Sequence, residues 1–568
     1  MLKDKQQLIS AAKGDAPADL ILKNGRVVNV FSGEIEKADV AIYGGRVAGV
    51  GDYASAKEII DLKGKWVAPG LINGHVHLES SMLDAGQYAR AVAPHGTAAI
   101  VTDLHEIANV CGIAGIEYIV KAARRLPLDL FLMAPSCVPA THLETSGAVI
   151  SAADIKKLLR LRECIGLGEV MNYPGVLAGD AAMLDKIAAA GGKAVDGHAP
   201  GLGGQDLNAY IGAGIGSDHE SVTLAEADEK LRRGMFLMIR EGSTEKNLEE
   251  LLPLVTARTY PRCCLVTDDR HAADILRDGD IDAVVRKAIR LGLEPVRAVQ
   301  MATINPAGYF RLKGLGAIAP GFYADLLILD SLEDFQIGAV YYRGRKVAQD
   351  GQPLFSIKTR DSGALSQTVN VKSFTPDALK LKVGGGEAYV IEIVPGQIIT
   401  RKRHLKVKVK DGLAVPDTES DILKAAVVER HKATGNIGVG LVKGFGLQRG
   451  ALASSVAHDS HNIVAVGVSD GDIYAAVKEV IRRHGGVAAA AGGKVLGSLA
   501  LPIAGLLSPQ PLEDVVKGLE KLEKIAKDLG CVLPSPLAAL SFLALPVIPE
   551  LRLTDLGLVD VNAFKLIE

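Results

Sequence analysis

Residues 20–67 alternate apolar and polar positions with period two in "LILKNGRVVNV", "ADVAIYGGRVAGVG" and "EIIDLKGKWVAP". The turn pairs Asn24-Gly25 and Gly44-Gly45 separate these runs, which predicts a small antiparallel β unit. From about residue 66 the rhythm changes. Eight short β-rich runs follow: "WVAPGLINGHVH", "TAAIVTDLHE", "DLFLMAPS", "IGLGEV", "KAVDGH", "IGSDHE", "MFLMIR" and "CCLVTDD". Helix-like stretches such as "VCGIAGIEYIVKAARRL" and "DIDAVVRKAIRLG" lie between them. Eight βα units over about 240 residues are the size and rhythm of a (β/α)8 barrel. A doubly wound open sheet is the alternative, but no GxGxxG follows the first strand.

The β pattern returns over 313–349, in "GLGAIAPGFYADLLILD" and "IGAVYYRGRKV". These strands are expected to rejoin the N-terminal ones in one small β-sandwich, with the barrel inserted. The expected division is 1–67 with 313–355 (β-sandwich), 68–312 (catalytic (β/α)8 barrel) and 370–568 (C-terminal α/β domain). The polar stretch at 350–372 reads as a linker. In the last part, "AYVIEIVP" and "KAAVVERH" read as strands, and "DIYAAVKEVIRRHG" and "LEDVVKGLEKLEKIAKDLG" as helices. "RKRHLKVKVK" reads as a strand with one solvated face, and the glycine-rich "GNIGVGLVKGFG" as turns or bulges.

Composition narrows the function classes. A chain of 568 residues is too long for one hydrophobic core. Apolar residues make up 48% but aromatics only 4%, so aliphatic side chains must fill the cores. Lys plus Arg number 64 against 66 Asp plus Glu, a net charge of −2. That balance argues against nucleic-acid binding and against a basic membrane surface. Six cysteines without a CxxC pair read as reduced thiols of a cytoplasmic protein. The first twenty residues have no apolar core of a signal peptide. The late apolar segments "LPIAGLL" and "LPSPLAALSFLALPVIP" are short or broken by proline. They read as core or as surface that permits a homo-oligomer, not as membrane spans.

The chemistry lies where the barrel runs end. The first ends in His75 and His77, the second in Asp103, His105 and Glu106, and the fourth in Glu169. The fifth ends in His198, the sixth in His219 and Glu220, and the eighth in Asp268 and Asp269. Active sites of such barrels lie at the C-terminal ends of the strands. Alone, His75 and His77 could be strand-end residues bonded to backbone. Ligands at four more strand ends outweigh that reading, because buried charges are costly unless paired or metal-bound. Six nitrogen and oxygen donors exceed what one catalytic zinc takes. They fit two divalent ions sharing a carboxylate and a bridging hydroxide, with zinc, iron or manganese all suited to the donors.

The flanking motifs "HVHLESSML", "HEIANVCGIAG", "GLGEVMNYPGV", "DGHAPGLGGQDLNAYI", "MIREGS", "LVTDDRHAADIL" and "SSVAHDSHNIVAVG" go further. Together they resemble the bacterial-type adenine deaminases of the amidohydrolase superfamily, from about residue 18 to the end. The resemblance implies that His75, His77 and Asp268 hold one metal, that His198 and His219 hold the other, and that Glu169 bridges them. It implies manganese or iron over zinc. Asn73 stands where an aspartate usually precedes the two histidines. The implied reaction is attack of a metal-bridging hydroxide on C6 of adenine, with Asp268 taking the hydroxide proton. Ammonia leaves and hypoxanthine remains, as in purine salvage and adenine catabolism. Glu106 and His105 are the candidates to face purine N1. The one-zinc deaminase motifs with H-x-E and P-C-x-x-C are absent. The alternatives are another aminopurine or cyclic amide or amidine as substrate, and a silent barrel used for binding; the latter would lack ligands.

The sequence leaves smaller features open. Glu79, Ser80 and Ser81 are expected to line the substrate pocket. Asp269 and Arg270 could pair with each other, and His271 reads as a helix start. His458, Asp459 and His461 form a polar turn, a separate site or, as favoured here, a loop reaching into the barrel mouth. His95, His142, His404, His431 and His484 read as ordinary polar residues.

Overall fold

The computed structural model describes residues 2–358, 362–395 and 397–567. Eight parallel strands run through its centre: β1 (Leu71–Asn73), β2 (Thr97–Thr102), β3 (Asp129–Ala134), β4 (Cys164–Val170), β5 (Ala194–Gly197), β6 (Ser217–Asp218), β7 (Phe236–Arg240) and β8 (Cys263–Val266). One ladder joins β1 to β5 in chain order and a second joins β6 to β8. Between β5 and β6 the chains touch through Gly216 N–H, which donates to Val195 O at 2.9 Å. A Cβ on Gly197 would stand 2.3 Å from Ser217 O, so only glycine allows that approach. On the other side the extensions of β1 and β8 close the ring: Val76–His77 pairs in parallel with Asp268–Asp269. Strands such as β2 and β7 are buried along their whole length, as expected where helices cover a parallel sheet. The eight runs read from the sequence are these eight strands.

The flanking segments share one nine-stranded sheet. Leu326–Ser331 pairs with Trp66–Pro69, which lies against Ala18–Asn29. The sheet is mixed, unlike the antiparallel unit expected. Ala18–Asn29 runs antiparallel to Glu34–Tyr43 but parallel to Ala56–Asp61 and Trp66–Pro69. Period-two alternation marks half-buried strands, not the direction of their neighbours. A helix, Leu2–Lys13, precedes the sheet and buries Ala11 against Ala18, Ile21, Ala41 and Ala48.

The C-terminal part is an eight-stranded sheet, antiparallel except where Glu387–Ile393 meets Ile437–Lys443. The helices Asp470–Arg482 and Leu512–Asp528 pack in different apolar clusters of this part. Ser469 caps the first by accepting from Asp472 N–H. "GNIGVGLVKGFG" is not turns: Ile437–Lys443 is an inner strand. A Cβ on Gly438 would lie 1.9 Å from Thr554 O, so the glycine lets Leu551–Thr554 approach. No helix among the described residues is long and apolar enough to cross a membrane.

The C-terminal part and the barrel share a core. Val456, Leu501, Ile503, Leu507 and Val515 belong to the same apolar cluster as Leu83, Tyr88 and Ile107. Polar ties follow the seam: Ser508 N–H donates to Met82 O at 2.7 Å, and Thr145 N–H donates to Asp555 Oδ1 at 2.8 Å. This docking sets the C-terminal loops over the C-terminal ends of the strands.

Candidate active site

His75 and His77 leave β1 on one face. Asn73, two residues before, donates from Nδ2 to Thr267 Oγ1 at 2.7 Å and accepts from Thr267 N–H at 3.2 Å. The Asn73 position therefore laces β1 to the end of β8. Asp268 follows Thr267 with φ +59°, a left-handed conformation rare for a non-glycine residue. Its N–H donates to His75 O at 3.0 Å, and Arg240 Nη1 donates to its Oδ2 at 2.8 Å. Both bonds hold the turn that aims Oδ1 at the histidines.

The ring ends bring the sequence-derived residues together. Asp268 Oδ1 lies 3.3 Å from His77 Nε2 and 3.8 Å from His75 Nε2. The His75 and His219 rings stack with centroids 4.0 Å apart. Glu169 stands between two groups of imidazoles. Its Oε1 is 3.5 Å from His77 Nε2, and its Oε2 is 2.6 Å from His198 Nδ1 and 3.3 Å from His219 Nε2. His105 also reaches it, with Nδ1 3.4 Å from Oε1. Several sets of three or four of these donors lie within 4.8 Å of one another: His75, His77 and Asp268; His75, Glu169 and His219; His198, His219 and Glu220; and His77, Asp103, His105 and Glu169.

The charge states suit a cation. Burial, then the His219 and His77 charges, push His75 down to about 3, so its ring is neutral. Burial opposes the charge of Glu169, yet the His198 bond and charge hold its carboxyl well below the usual range. Asp268 is likewise held low, against burial, by the His77 bond and the Arg240 charge. His219 is pushed up to about 9 because the Glu169 bond outweighs burial; a metal takes the place of such a proton. His75 Nε2, His77 Nδ1 and His219 Nδ1 are buried without a hydrogen bond. Imidazole nitrogens and ionised carboxylates within reach of one another are a donor set for divalent metal, which displaces the imidazole protons.

Arg240 escaped sequence reading, and Asp103, named at a strand end, was given no role. Asp103 lies 3.0 Å from His105 Nδ1 and 3.3 Å from His77 Nδ1; its place at the end of β2 was the available signal. Arg240 ends β7 and binds both Glu220 and Asp268. Nothing in a lone strand-end arginine distinguishes it from a surface cation. Glu79, Ser80 and Ser81, expected to line the substrate pocket, do not line the cavity. Ser80 donates to Asp269, Ser81 Oγ donates to Leu78 O at 2.6 Å, and Glu79 Oε1 accepts from Ile107 N–H at 3.3 Å. All three face the protein interior because the chain turns into a 3-10 helix, Leu78–Ser81, directly after His77. Asp269 and Arg270 do not pair: Arg270 Nε donates to Gly279 O at 3.1 Å. His271 does precede a helix, Ala272–Asp278.

A cavity of about 910 Å³ opens above the donors. His77, His105, Glu106, Glu169, His198, His219, Arg240 and Asp268 line its floor. The C-terminal part supplies the opposite wall, with Ile399, Phe542 and Ile548 among apolar residues and His458 and Asp459 at the loop. The 457–462 loop thus reaches the barrel mouth, the favoured of the three readings. His458 Nδ1 is 2.6 Å from Glu106 Oε1, and His461 Nε2 bonds Glu106 Oε2. His431, read as ordinary, supports that loop through Nε2 at 2.7 Å from Ser460 O.

Comparison with known proteins agrees with the geometry. The amidohydrolase family matches residues 66–351, and the adenine deaminase C-terminal domain matches residues 397–565. An adenine deaminase of Dehalococcoides mccartyi is 60% identical over 567 residues, covering 100% of this chain and 99% of that one. Adenine deaminase 2 of Carboxydothermus hydrogenoformans is 50% identical, with the same coverage. An adenine deaminase of Methanothrix thermoacetophila is 48% identical over 98% of both chains. The chain belongs to the adenine deaminase family of amidohydrolases.

Proposed function

We propose that the protein hydrolyses adenine to hypoxanthine and ammonia, with two divalent ions held by His75, His77, Glu169, His198, His219 and Asp268. The observation that carries this reading is the position of Glu169, one oxygen toward His77 and the other toward His198 and His219. Manganese or iron is favoured for the pair, with zinc also suited to the donors; the full-length deaminase relatives support the substrate. Bound divalent metal supplies Lewis acidity and lowers the pKa of water. The barrel at 68–312 carries this chemistry, and the C-terminal domain at 370–568 walls the cavity.

The protein's own groups handle the protons. When water oxygen adds at C6, its proton needs an acceptor and purine N1 needs a donor. Asp268 serves as acceptor, since Arg240 occupies Oδ2 and leaves Oδ1 toward the floor. His105 serves N1, since it lines the cavity; Glu106, also expected to face N1, has both oxygens taken by His458 and His461. The amine then leaves as ammonia. The cavity exceeds what a bare purine base fills, which keeps other aminopurines or cyclic amidines as a second reading for a substrate panel. Six free cysteines fit a reducing cytoplasm. Exposed Val495 and Leu496 on a C-terminal hairpin fit a homo-oligomer. The test is ammonia release from adenine by protein loaded in turn with manganese, iron and zinc. Turnover with one or more is expected; none with any of the three overturns the reading.

A further inference from the structure

Glu106 stands in the first turn of the helix after β2 (His105–Ala123), and both its oxygens are taken by side chains from the C-terminal part. His461 contributes one contact, and its tautomer is fixed by backbone. Ala457 N–H donates to His461 Nδ1 at 3.1 Å, so the ring proton sits on Nε2 and points at Glu106 Oε2. Arg430, fully buried, donates from Nε to His461 O and from both Nη atoms to Ala504 O at 3.1 Å. His461 is thereby a rigid prop for Glu106.

His458 differs. Its Nδ1 lies on Glu106 Oε1, and its ring stacks on Phe542 with centroids 4.6 Å apart and planes 17° from parallel. Its backbone N–H donates to Ser541 O at 3.0 Å. The ring lines the cavity, and among the described residues Nε2 makes no hydrogen bond. Glu106 and Phe542 therefore fix the ring and turn its remaining nitrogen edge to the space above the donors. Glu106, Asp269 and Asp459 surround it, with His461 and His271 also near. Burial lowers its proton affinity, but Glu106 outweighs this and pushes the ring up to about 9. An imidazolium has a donor on both nitrogens.

Resting on the deaminase reading, we infer that His458 is a substrate-contacting residue contributed by the C-terminal domain, and that its Nε2–H donates a hydrogen bond to a ring nitrogen of the bound base. Glu106 and His461 are positioning residues that act through it. Such a bond strengthens as addition at C6 drives electron density onto the ring nitrogens, so it favours the transition state over the bound base. The site is complete only with both halves of the chain docked.

The experiment compares adenine with 1-deaza-, 3-deaza- and 7-deazaadenine, each lacking one ring nitrogen acceptor. Inhibition constants for the three analogues and kcat/KM for adenine are measured on metal-loaded wild type, His458→Ala and His458→Gln, with metal content and melting recorded. In wild type one analogue binds worse than the others by roughly 10- to 100-fold, the value of a charge-assisted bond. That selective loss shrinks to near parity in His458→Ala and is partly restored in His458→Gln, whose amide keeps a donor. The adenine kcat falls more than KM rises. A penalty equal for all three analogues, or none, overturns the inference. Melting separates collapse of the alanine variant from loss of a contact, and the near-isosteric glutamine variant then decides. Absence of wild-type turnover on adenine would instead overturn the deaminase reading.

Discussion

Arg240, the last residue of β7, donates to Asp268 Oδ2 at 2.8 Å and grips the Glu220 carboxylate with both terminal nitrogens. All of this happens in a buried setting, with the arginine side chain 5% exposed. The guanidinium both neutralises Asp268 and fixes which of its oxygens is left for the floor. Lysine keeps the charge but not the fork. Arg240→Lys is therefore expected to keep its metal and lose roughly 10- to 100-fold in kcat, the range for a partner that orients a ligand. Arg240→Met takes the guanidinium from buried Asp268 and part-buried Glu220 and should also lose about 3–5 kcal/mol of stability. Steady-state rates, metal analysis and melting check both. A lysine variant with wild-type kcat would show that Asp268 needs only a nearby charge.

Glu169 and Asp268 are both buried carboxylates at the floor, but their roles predict different failures. Glu169 spans two imidazole groups, so Glu169→Gln should lower metal content and nearly abolish turnover. On the proposed reading Asp268 is one donor among several and also the proton acceptor. Asp268→Asn should cost roughly 10²- to 10⁴-fold in kcat while losing much less metal. Elemental analysis beside the ammonia assay distinguishes them. Full occupancy with normal activity in Glu169→Gln would refute the bridging role.

Lys230 supports the histidines from behind. Fully buried, it donates to Asp218 Oδ2 at 2.8 Å, to Glu226 Oε1 at 2.7 Å and to Ala199 O at 2.7 Å. Asp218 precedes His219 and accepts from Ala199 N–H at 3.0 Å, next to His198. One ammonium thus ties the ends of β5 and β6, where among the described residues a single backbone bond joins the strands. Lys230→Met removes one partner of a dry ion pair and is expected to cost about 3–5 kcal/mol. It should also weaken metal binding at His198 and His219. Denaturation and metal titration measure the two effects; unchanged metal affinity would mean that β5 and β6 hold their ends without the tie.

How much of this was legible follows from what each residue does. The barrel strands could be read because burial on both faces leaves continuous apolar runs. The cluster at the barrel mouth could be read because polar residues ending such runs stand out. Sheet direction could not: Ala18–Asn29 alternates the same way whether Ala56–Asp61 lies parallel or antiparallel beside it. The inner strand Ile437–Lys443 was hidden because Gly438 answers a tertiary need, the approach of Thr554 O, that looks locally like turn chemistry. The role of Arg240 depends on where β6 and β8 end, and the pairing of Glu106 with His458 spans 352 positions. Neither leaves a local pattern. Glu79 and Ser80 misled for the opposite reason, since adjacency to His77 in sequence does not survive the turn after it.

Asp325 gives a pH test of the sheet that carries the barrel. Its Oδ1 accepts from Arg343 N–H at 2.7 Å, while Oδ2 is buried without a hydrogen bond. Burial, only partly countered by Arg343, pushes its carboxyl up to about 6 from 3.8. The folded state then binds a proton more tightly than the unfolded chain. Its contribution is fully present below about pH 4 and is lost as pH rises through 6. Asp325→Asn keeps an acceptor for Arg343 N–H and removes the titration. Relative to wild type, the variant should gain about 1–3 kcal/mol between pH 4 and pH 7, whatever constant offset the substitution brings. Urea midpoints of both proteins across that range check it. A difference that stays flat with pH would mean Asp325 is ionised in the fold at all these values, with Arg343 offsetting the whole cost of its burial.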